Sequence, residues 1–523
     1  MEYTLDYHDI QANILVNYAE FGYIKARYLF FEIHDSEQGR KFINKIQKYI
    51  TTIPTPQNGI ILPHIITNIA FSYNGLKQLG LPALTLQSFP DEFITGMRGR
   101  RAILGDDEKS DPKFWDDVYK KNIHILVSIE ATKQSDLEKR YNEILELLPV
   151  NKEVQLLDGH KCQEKEKTLP YQEASALYQD GVPTAKEHFG YTDGISNPFF
   201  KGMTEEMGHL LGGGKKSGIK NNGYGDPESA TTWQPLETGE FILGYRDEAQ
   251  EYPVAPMPAL IAKNGSFMVF SKFHENVGKF NQYLDEFGPK FPGGKEMLAA
   301  KFVGRWRNGA PLTTFPHEAD ANQIAREREE AILAMNLAQT PAEKIKARTR
   351  FQEINKKFIA FDYNDDISGS RCPVGAHIRR GNPRGSLEFG QKKAFNTPSA
   401  LDDRRRLIRR GLPYGIAQSP DSNEGEHGTI IMTIVASIKR QFEFVFQQWI
   451  NYGNDFKLAN ERDSIVGNHP NDKGYMVIQG DENNPPYFLS NLPRFIETRG
   501  GEYFFIPSLI ALRMMSEGIV DPT

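Results

Sequence analysis

Cysteine is nearly absent from this chain. Only Cys162 and Cys372 occur in 523 residues, too few for a disulfide framework, and neither belongs to a C-x-x-C pair of the kind that holds zinc. Long apolar runs are missing as well. No stretch reaches the roughly 18 apolar residues that a membrane-spanning helix needs. The opening Met1-Glu2-Tyr3-Thr4-Leu5-Asp6 has no apolar core of a secretory leader, so the cytoplasm is the expected location. An excess of cations is lacking too: 62 Lys and Arg against 68 Asp and Glu leave a net charge of −6, which argues against general nucleic-acid binding. The basic run Arg404-Arg405-Arg406 is flanked by Asp402 and Asp403 and reads as a locally ion-paired segment. What remains is an ordinary soluble globular composition, 39% hydrophobic and 25% charged, long enough for two or more packed units.

The first part of the chain alternates strand and helix patterns. Residues 23–33 are β-rich, and 36–50 place Phe42, Ile43, Ile46 and Ile50 at helical spacing. Strands follow at 65–73 and 122–130, a helix at 134–148 through Leu137, Tyr141, Ile144, Leu145 and Leu148, and a strand at 154–157. The order β-α-β-β-α-β is a ferredoxin-like unit. A second, less regular round has strand patterns at 240–245, 265–273, 428–438 and 502–507, with helices at 275–287 and 441–450. The expected fold is therefore α+β, two ferredoxin-like units with antiparallel sheets. The expected division is an N-terminal unit at 1–180, a connecting loop at 181–235 rich in Gly, Pro and Asn (including Gly212-Gly213-Gly214), and a C-terminal unit at 236–523. Residues 318–358 are highly charged, with Ala, Leu and Ile at helical spacing, and read as one or two solvated helices inserted in the second unit.

Two segments carry chemistry. His188-Phe189-Gly190-Tyr191-Thr192-Asp193-Gly194-Ile195-Ser196-Asn197-Pro198 holds a carboxylate among turn-forming residues. Cys372-Pro373-Val374-Gly375-Ala376-His377-Ile378-Arg379-Arg380-Gly381-Asn382-Pro383-Arg384 holds an imidazole followed by cations. Splitting a peroxide at a ferric haem needs an axial nitrogen, a carboxylate behind it, a base on the far side and a cation beside that base. His377, flanked by small and turn-forming residues, suits the first need, and Asp193, in a loop that brings backbone close to a flat ligand, suits the third. Arg379, Arg380, Arg384, Arg409 and Arg410 are all candidate cations, and Asp463 is one candidate carboxylate among 68 acidic residues. Spacing leaves His64, His124, His274 and His427 open as alternative ligands. The bland counterparts are an Asx turn, a structural histidine and an ion-paired arginine face. The absence of C-x-x-C-H excludes covalent c-type attachment.

Together these segments resemble the dye-decolourising peroxidases: the first their G-x-x-D-G motif, the second their proximal-histidine motif. Residues 9–15, 239–245, 304–312, 408–415 and 441–444 agree in the same order, so the resemblance spans nearly the whole chain. It implies one non-covalent haem b per chain, in the second ferredoxin-like unit, closed over by the aspartate loop. By position, His377 corresponds to the axial ligand, Asp193 to the distal acid–base group, Arg409 to the distal arginine and Asp463 to the carboxylate behind the histidine. Gly194 and Ile195 then lie against the cofactor, and Arg379 and Arg384 suit its propionates. The His377–Arg409 spacing resembles the larger, fungal-like members. Trp449 aligns with a tryptophan that some members use as a surface radical site, while the stripe Phe442, Val445, Phe446, Trp449 reads as core.

The function expected on this resemblance is oxidation of bulky aromatic molecules, dyes and phenolics, by hydrogen peroxide, without nucleic acid or membrane. A homo-oligomer is compatible with it. Two alternatives stand beside it: a haem-binding or iron-extracting protein with incidental peroxidase activity, and a site using Cys372 as a thiolate ligand.

Overall fold

The computed structural model describes residues 5–16, 22–53, 62–164, 166–203, 215–216, 233–384, 386–387 and 400–520. In the first half, β1 (Lys25–Ile33), α1 (Ser36–Ile46), β2 (Ile65–Phe71), β3 (Ile125–Ala131), α2 (Gln134–Leu145) and β4 (Val154–Leu156) follow in the expected order. All the pairings are antiparallel and run β2-β3-β1-β4, the ferredoxin-like arrangement. Every residue of β3 is buried, because helices cover one face of the sheet and the aromatic interior fills the other. Asp35 caps α1 by accepting the Gln38 N–H, and Phe42, Ile43 and Ile46 turn inward. A short strand, β5 (Gln172–Ser175), extends the same edge of β1 beyond β4.

The second half contains β6 (Ser266–Glu275), α3 (Val277–Phe287), α4 (Glu318–Leu337), α5 (Pro341–Ile359), the one-turn α6 (His377–Gly381), β7 (Ile408–Gly415), β8 (His427–Val435), π-helical turns at Ile438–Glu443 and Val445–Ile450, and β9 (Ile496–Ile506). Its strands run β7-β8-β6-β9, the same arrangement again, and β9 joins β2 through Phe505 and Phe71. The nine strands thus form one sheet, which curls until β7 lies against β5.

Several expectations change. Residues 240–245 form no strand: a 3-10 turn at Thr238–Glu240 leads into Phe241, Ile242 and Leu243, whose backbone N–H groups bond to Thr238 and Gly265. A short buried apolar run reads alike as strand or as core loop. Conversely, β7 has no clear strand signature because Arg409, Arg410, Gly411 and Pro413 interrupt it. It is an edge strand, where a proline without an N–H is tolerated. The 318–358 segment is a helical hairpin, with Thr340 and Glu343 forming a capping box at the start of α5. Gly212-Gly213-Gly214 lies outside the described residues. Among the described residues, no helix is long and apolar enough to cross a membrane.

Candidate active site

A cavity of about 290 Å³ lies against the second half, beneath the aspartate loop. His377, Asp193, Ile195, Arg384 and Arg409 all line it. Each is delivered by a different local device.

His377 is the first residue of α6. Its chain enters through Cys372, whose N–H donates to Asp366 at 2.7 Å, and Val374, whose N–H donates to Gln479 at 2.9 Å. Gly375 is needed here, since a Cβ at that position would lie 2.1 Å from the Glu461 carboxylate. The His377 Nδ1 stands 3.0 Å from Asp463 Oδ2. Asp463 is fully buried, and its Oδ1 accepts the N–H groups of Ile465 and Val466 at 2.9 and 2.8 Å. Burial alone would raise this carboxyl; the charge and hydrogen bond of His377, the Val466 N–H and Arg380 outweigh burial and hold it below the usual range. A carboxylate only accepts, so Nδ1 carries the proton, and the lone pair of neutral His377 is on Nε2. Of the histidines left open by spacing, His64, His124, His274 and His427 are not among the cavity-lining residues.

Asp193 sits in a turn fixed at both ends. Its N–H donates to Ala185 O, the Thr192 N–H donates to Arg307 O, and Gly194 follows in the left-handed region with φ +72°. Arg409 projects from β7, and its Nη2 donates to Asp193 Oδ1 at 2.7 Å. These side chains are 41% and 42% exposed, and both face the cavity. Burial of the Asp193 carboxyl alone would raise it. The charge and hydrogen bond of Arg409, the Gly194 N–H and the charge of His377 prevail and keep it below the usual aspartate range.

Asn197 has a part that its motif did not advertise. Its Oδ1 accepts both the Arg409 N–H, at 3.1 Å, and Arg410 Nη1, at 3.2 Å, tying the aspartate loop to β7. Arg410 also donates to the carbonyls of Asn13 and Ile14, which explains why the 9–15 segment belongs to the pattern.

Comparison with known proteins shows what the chain as a whole is similar to. Residues 9–161 match the family model described as the DyP dimeric alpha+beta barrel domain. A dye-decolorizing peroxidase of Mycetinis scorodonius is 26% identical over 97% of this chain and 87% of its own length. One from Mycena epipterygia is also 26% identical, over 97% and 86%. The solved structure of an ancestral D-type dye decolorizing peroxidase superposes with a TM-score of 0.70 at 27% identity, over 98% of this chain and 99% of its own. Over nearly its whole length the chain is thus similar to dye-decolourising peroxidases, and residues 9–161 carry their N-terminal domain. It is an enzyme of that type.

Two expected residues and one alternative stand elsewhere than the sequence reading placed them. Arg379 does not line the cavity: it is fully buried, donates to the carbonyls of Asp366, Cys372 and Ile367, and covers the Tyr363 ring. Besides Arg409, the cavity cations are Arg384, as expected, with Arg305 and Arg406. Arg384 donates to the carbonyls of Ile359 and Phe361, and Arg305 to those of Gly309 and Phe358. Burial is the first cause that lowers both, Arg384 to about 9 with repulsion from Arg305 and Arg406 adding to it, and Arg305 to about 10 with repulsion from Arg328 and Arg409 adding to it. Arg305 was within reach of the sequence, in the Gly304–Leu312 stretch. Trp449 is not a surface residue: it is 1% exposed, packed against Phe444 and Phe456, with Nε1 donating to Asp455. Cys372 is buried and does not line the cavity, which speaks against the thiolate alternative; burial also pushes its thiol up to about 12.

Proposed function

We propose that the cavity holds one non-covalent haem b, whose iron Nε2 of His377 would bind, with Asp193 and Arg409 as the acid–base and charge-stabilising pair. The observation that carries this is the convergence of three groups on one cavity. They are an imidazole with Nδ1 committed to a buried carboxylate, an aspartate–arginine pair, and a set of buried cations. The cations test the fit: Arg305 and Arg406 both repel Arg384 at one cavity, a donor set that suits the two propionates of a haem. Ile195 supplies an apolar contact and Gly194 close backbone.

When bound, haem iron supplies the redox chemistry that cleaves hydrogen peroxide and accepts single electrons from an aromatic reductant. Asp463 fixes the tautomer of His377 and makes its Nε2 more electron-rich. Asp193, held ionised by Arg409, takes a proton from one peroxide oxygen and returns it to the other. Arg409 remains cationic throughout and stabilises negative charge as it develops. The names of the relatives support dyes as reductants, and a dye-decolorizing peroxidase solved in complex with 2,6-dimethoxyphenol supports phenolics. We read the chain as an N-terminal unit at 1–180, a connecting segment at 181–235 carrying Asp193, and a haem-binding unit at 236–523.

The test is an absorption spectrum of the hemin-loaded protein before and after one equivalent of peroxide. A rapid spectral change, reversed by a phenol or dye with turnover, is expected. A hemin spectrum that peroxide leaves unchanged would reduce the protein to a haem binder.

A further inference from the structure

The work of Asp193 depends on where its carboxylate stands, and the loop that carries it is held by a side chain from outside the cavity. Arg307 lies in the turn after the helix Gly294–Val303 and is not among the cavity-lining residues. Its Nη1 donates to the Phe189 carbonyl, and its Nε donates to Glu296 Oε2 at 2.9 Å. The guanidinium lies over the Tyr191 ring, 5.1 Å from its centroid. The backbone carbonyl of Arg307 accepts both the Thr192 N–H, at 3.0 Å, and the Thr192 hydroxyl, at 3.1 Å. One residue thus meets positions 189, 191 and 192, and Asp193 comes next.

The loop is shaped to be gripped in this way. Gly190 has φ +91°, and a Cβ there would stand 3.2 Å from Arg307 Nη1, so a side chain at this position would crowd the guanidinium. On the inner side, the two oxygens of Glu187 accept the N–H groups of Phe189 and Tyr191, both at 2.7 Å. The Tyr191 hydroxyl donates to Ala299 O at 2.7 Å. Glu187 belongs to the loop and moves with it. Arg307 and Ala299 belong to another element, so they fix the loop against the second half. Two residues before Arg307, the same turn sends Arg305 into the cavity.

We propose that Arg307 is a positioning residue for Asp193, which it places against Arg409 and the cavity through Phe189, Tyr191 and Thr192. The role rests on the reading of Asp193 as the acid–base group. The ion pair with Glu296, whose side chain is 43% exposed, adds little stability by itself. Its contribution is direction: a planar guanidinium held at Nε presents Nη1 in one orientation. Reaction rates are steep in such placement, since a shift of about 1 Å can cost about a hundredfold.

The test is the stopped-flow reaction of the hemin-loaded full chain with peroxide. Arg307→Met keeps an apolar stem and removes the donors. It should bind hemin as wild type does and react about ten- to a hundredfold more slowly. Arg307→Lys, a single cation without the planar fork, should recover part of that loss. Coupling separates positioning from mere support of the fold. Added to Asp193→Asn, Arg307→Met should slow that variant no further, because no carboxylate is left to place. A wild-type rate in Arg307→Met beside a slowed Asp193→Asn overturns the proposal. A double variant slower than Asp193→Asn by the whole factor lost in Arg307→Met also overturns it, since a general loosening of the fold would act so. If Arg307→Met does not fold, Arg307→Lys and Glu296→Gln decide the matter. Each should slow the wild type and leave Asp193→Asn unchanged, and wild-type rates in both overturn the proposal. A failure of the underlying reading is distinguishable: Asp193→Asn itself then reacts at the wild-type rate, or the wild type gives no hemin spectrum.

Discussion

Two carboxylates serve this cavity, Asp463 and Asp193, and each meets a nitrogen partner at a similar distance, 3.0 and 2.7 Å. Their surroundings differ. Asp463 is fully buried, and its second oxygen is taken up by two backbone N–H groups, so nothing about it can turn or exchange without breaking the loop. Asp193 and Arg409 are each about two-fifths exposed to the cavity, so a small molecule can reach both. The same acid–nitrogen contact thus orients a ligand in one place and moves a proton in the other. Burial decides which, because only an accessible carboxylate trades its proton on the time scale of turnover.

The sharpest way to break the comparison is at the nitrogen behind Asp463. His377→Ala removes the only cavity-facing imidazole among the described residues and leaves Asp463 buried without its partner. Haem binding, followed by hemin titration, should weaken by more than the roughly 10–100-fold typical of losing an outer-sphere partner. Unaltered affinity and spectrum would show that the iron ligand lies elsewhere.

Next comes the open pair. Asp193→Asn and Arg409→Leu should each bind hemin nearly as wild type does. At least one should react with peroxide about a hundredfold or more slowly, the scale for a positioned base or a charge-stabilising group. Stopped-flow absorbance measures this, and wild-type rates in both variants would end the distal assignment. Asp463→Asn should fall between, losing about 10–100-fold in haem affinity or activity while keeping the fold, since the amide oxygen can still accept the two backbone N–H groups. A variant indistinguishable from wild type would make the buried carboxylate a packing feature.

How far the sequence reached follows from the same distinction. His377, Asp193 and Arg409 each sit in a short segment whose turn chemistry is local, so the segments themselves identify them. The first ferredoxin-like half was equally legible, because its strands and helices keep uninterrupted patterns. What escaped was set by convergence in space. Arg379 and Arg384 are near neighbours in sequence, yet one turns into a cage of carbonyls and the other into the cavity. Arg305 and Arg406 reach the same cavity from separate segments. Strand β7 hid its identity because an edge strand admits the very residues, arginine, glycine and proline, that count against a strand elsewhere.

The smallest expected effect is a shift in pH rather than a loss. Asp193 works as a base only when ionised, and burial, acting alone, would raise its carboxyl. Arg409 is the largest influence in the other direction, and the result is a carboxyl below the usual aspartate range. The acid limb of kcat/KM for peroxide in the wild type should therefore lie below about pH 4, the ordinary aspartate value, leaving activity intact well into acid. Arg409→Leu removes the lowering charge and its hydrogen bond while leaving the burial, so the sign of the change is upward. The residual activity of that variant should fall off at a higher pH than in the wild type, the base form being lost as pH drops through the raised value. Rates measured against pH for the two proteins decide it. Coincident acid limbs would mean that the proton-accepting group is not Asp193, or that Arg409 does not govern it.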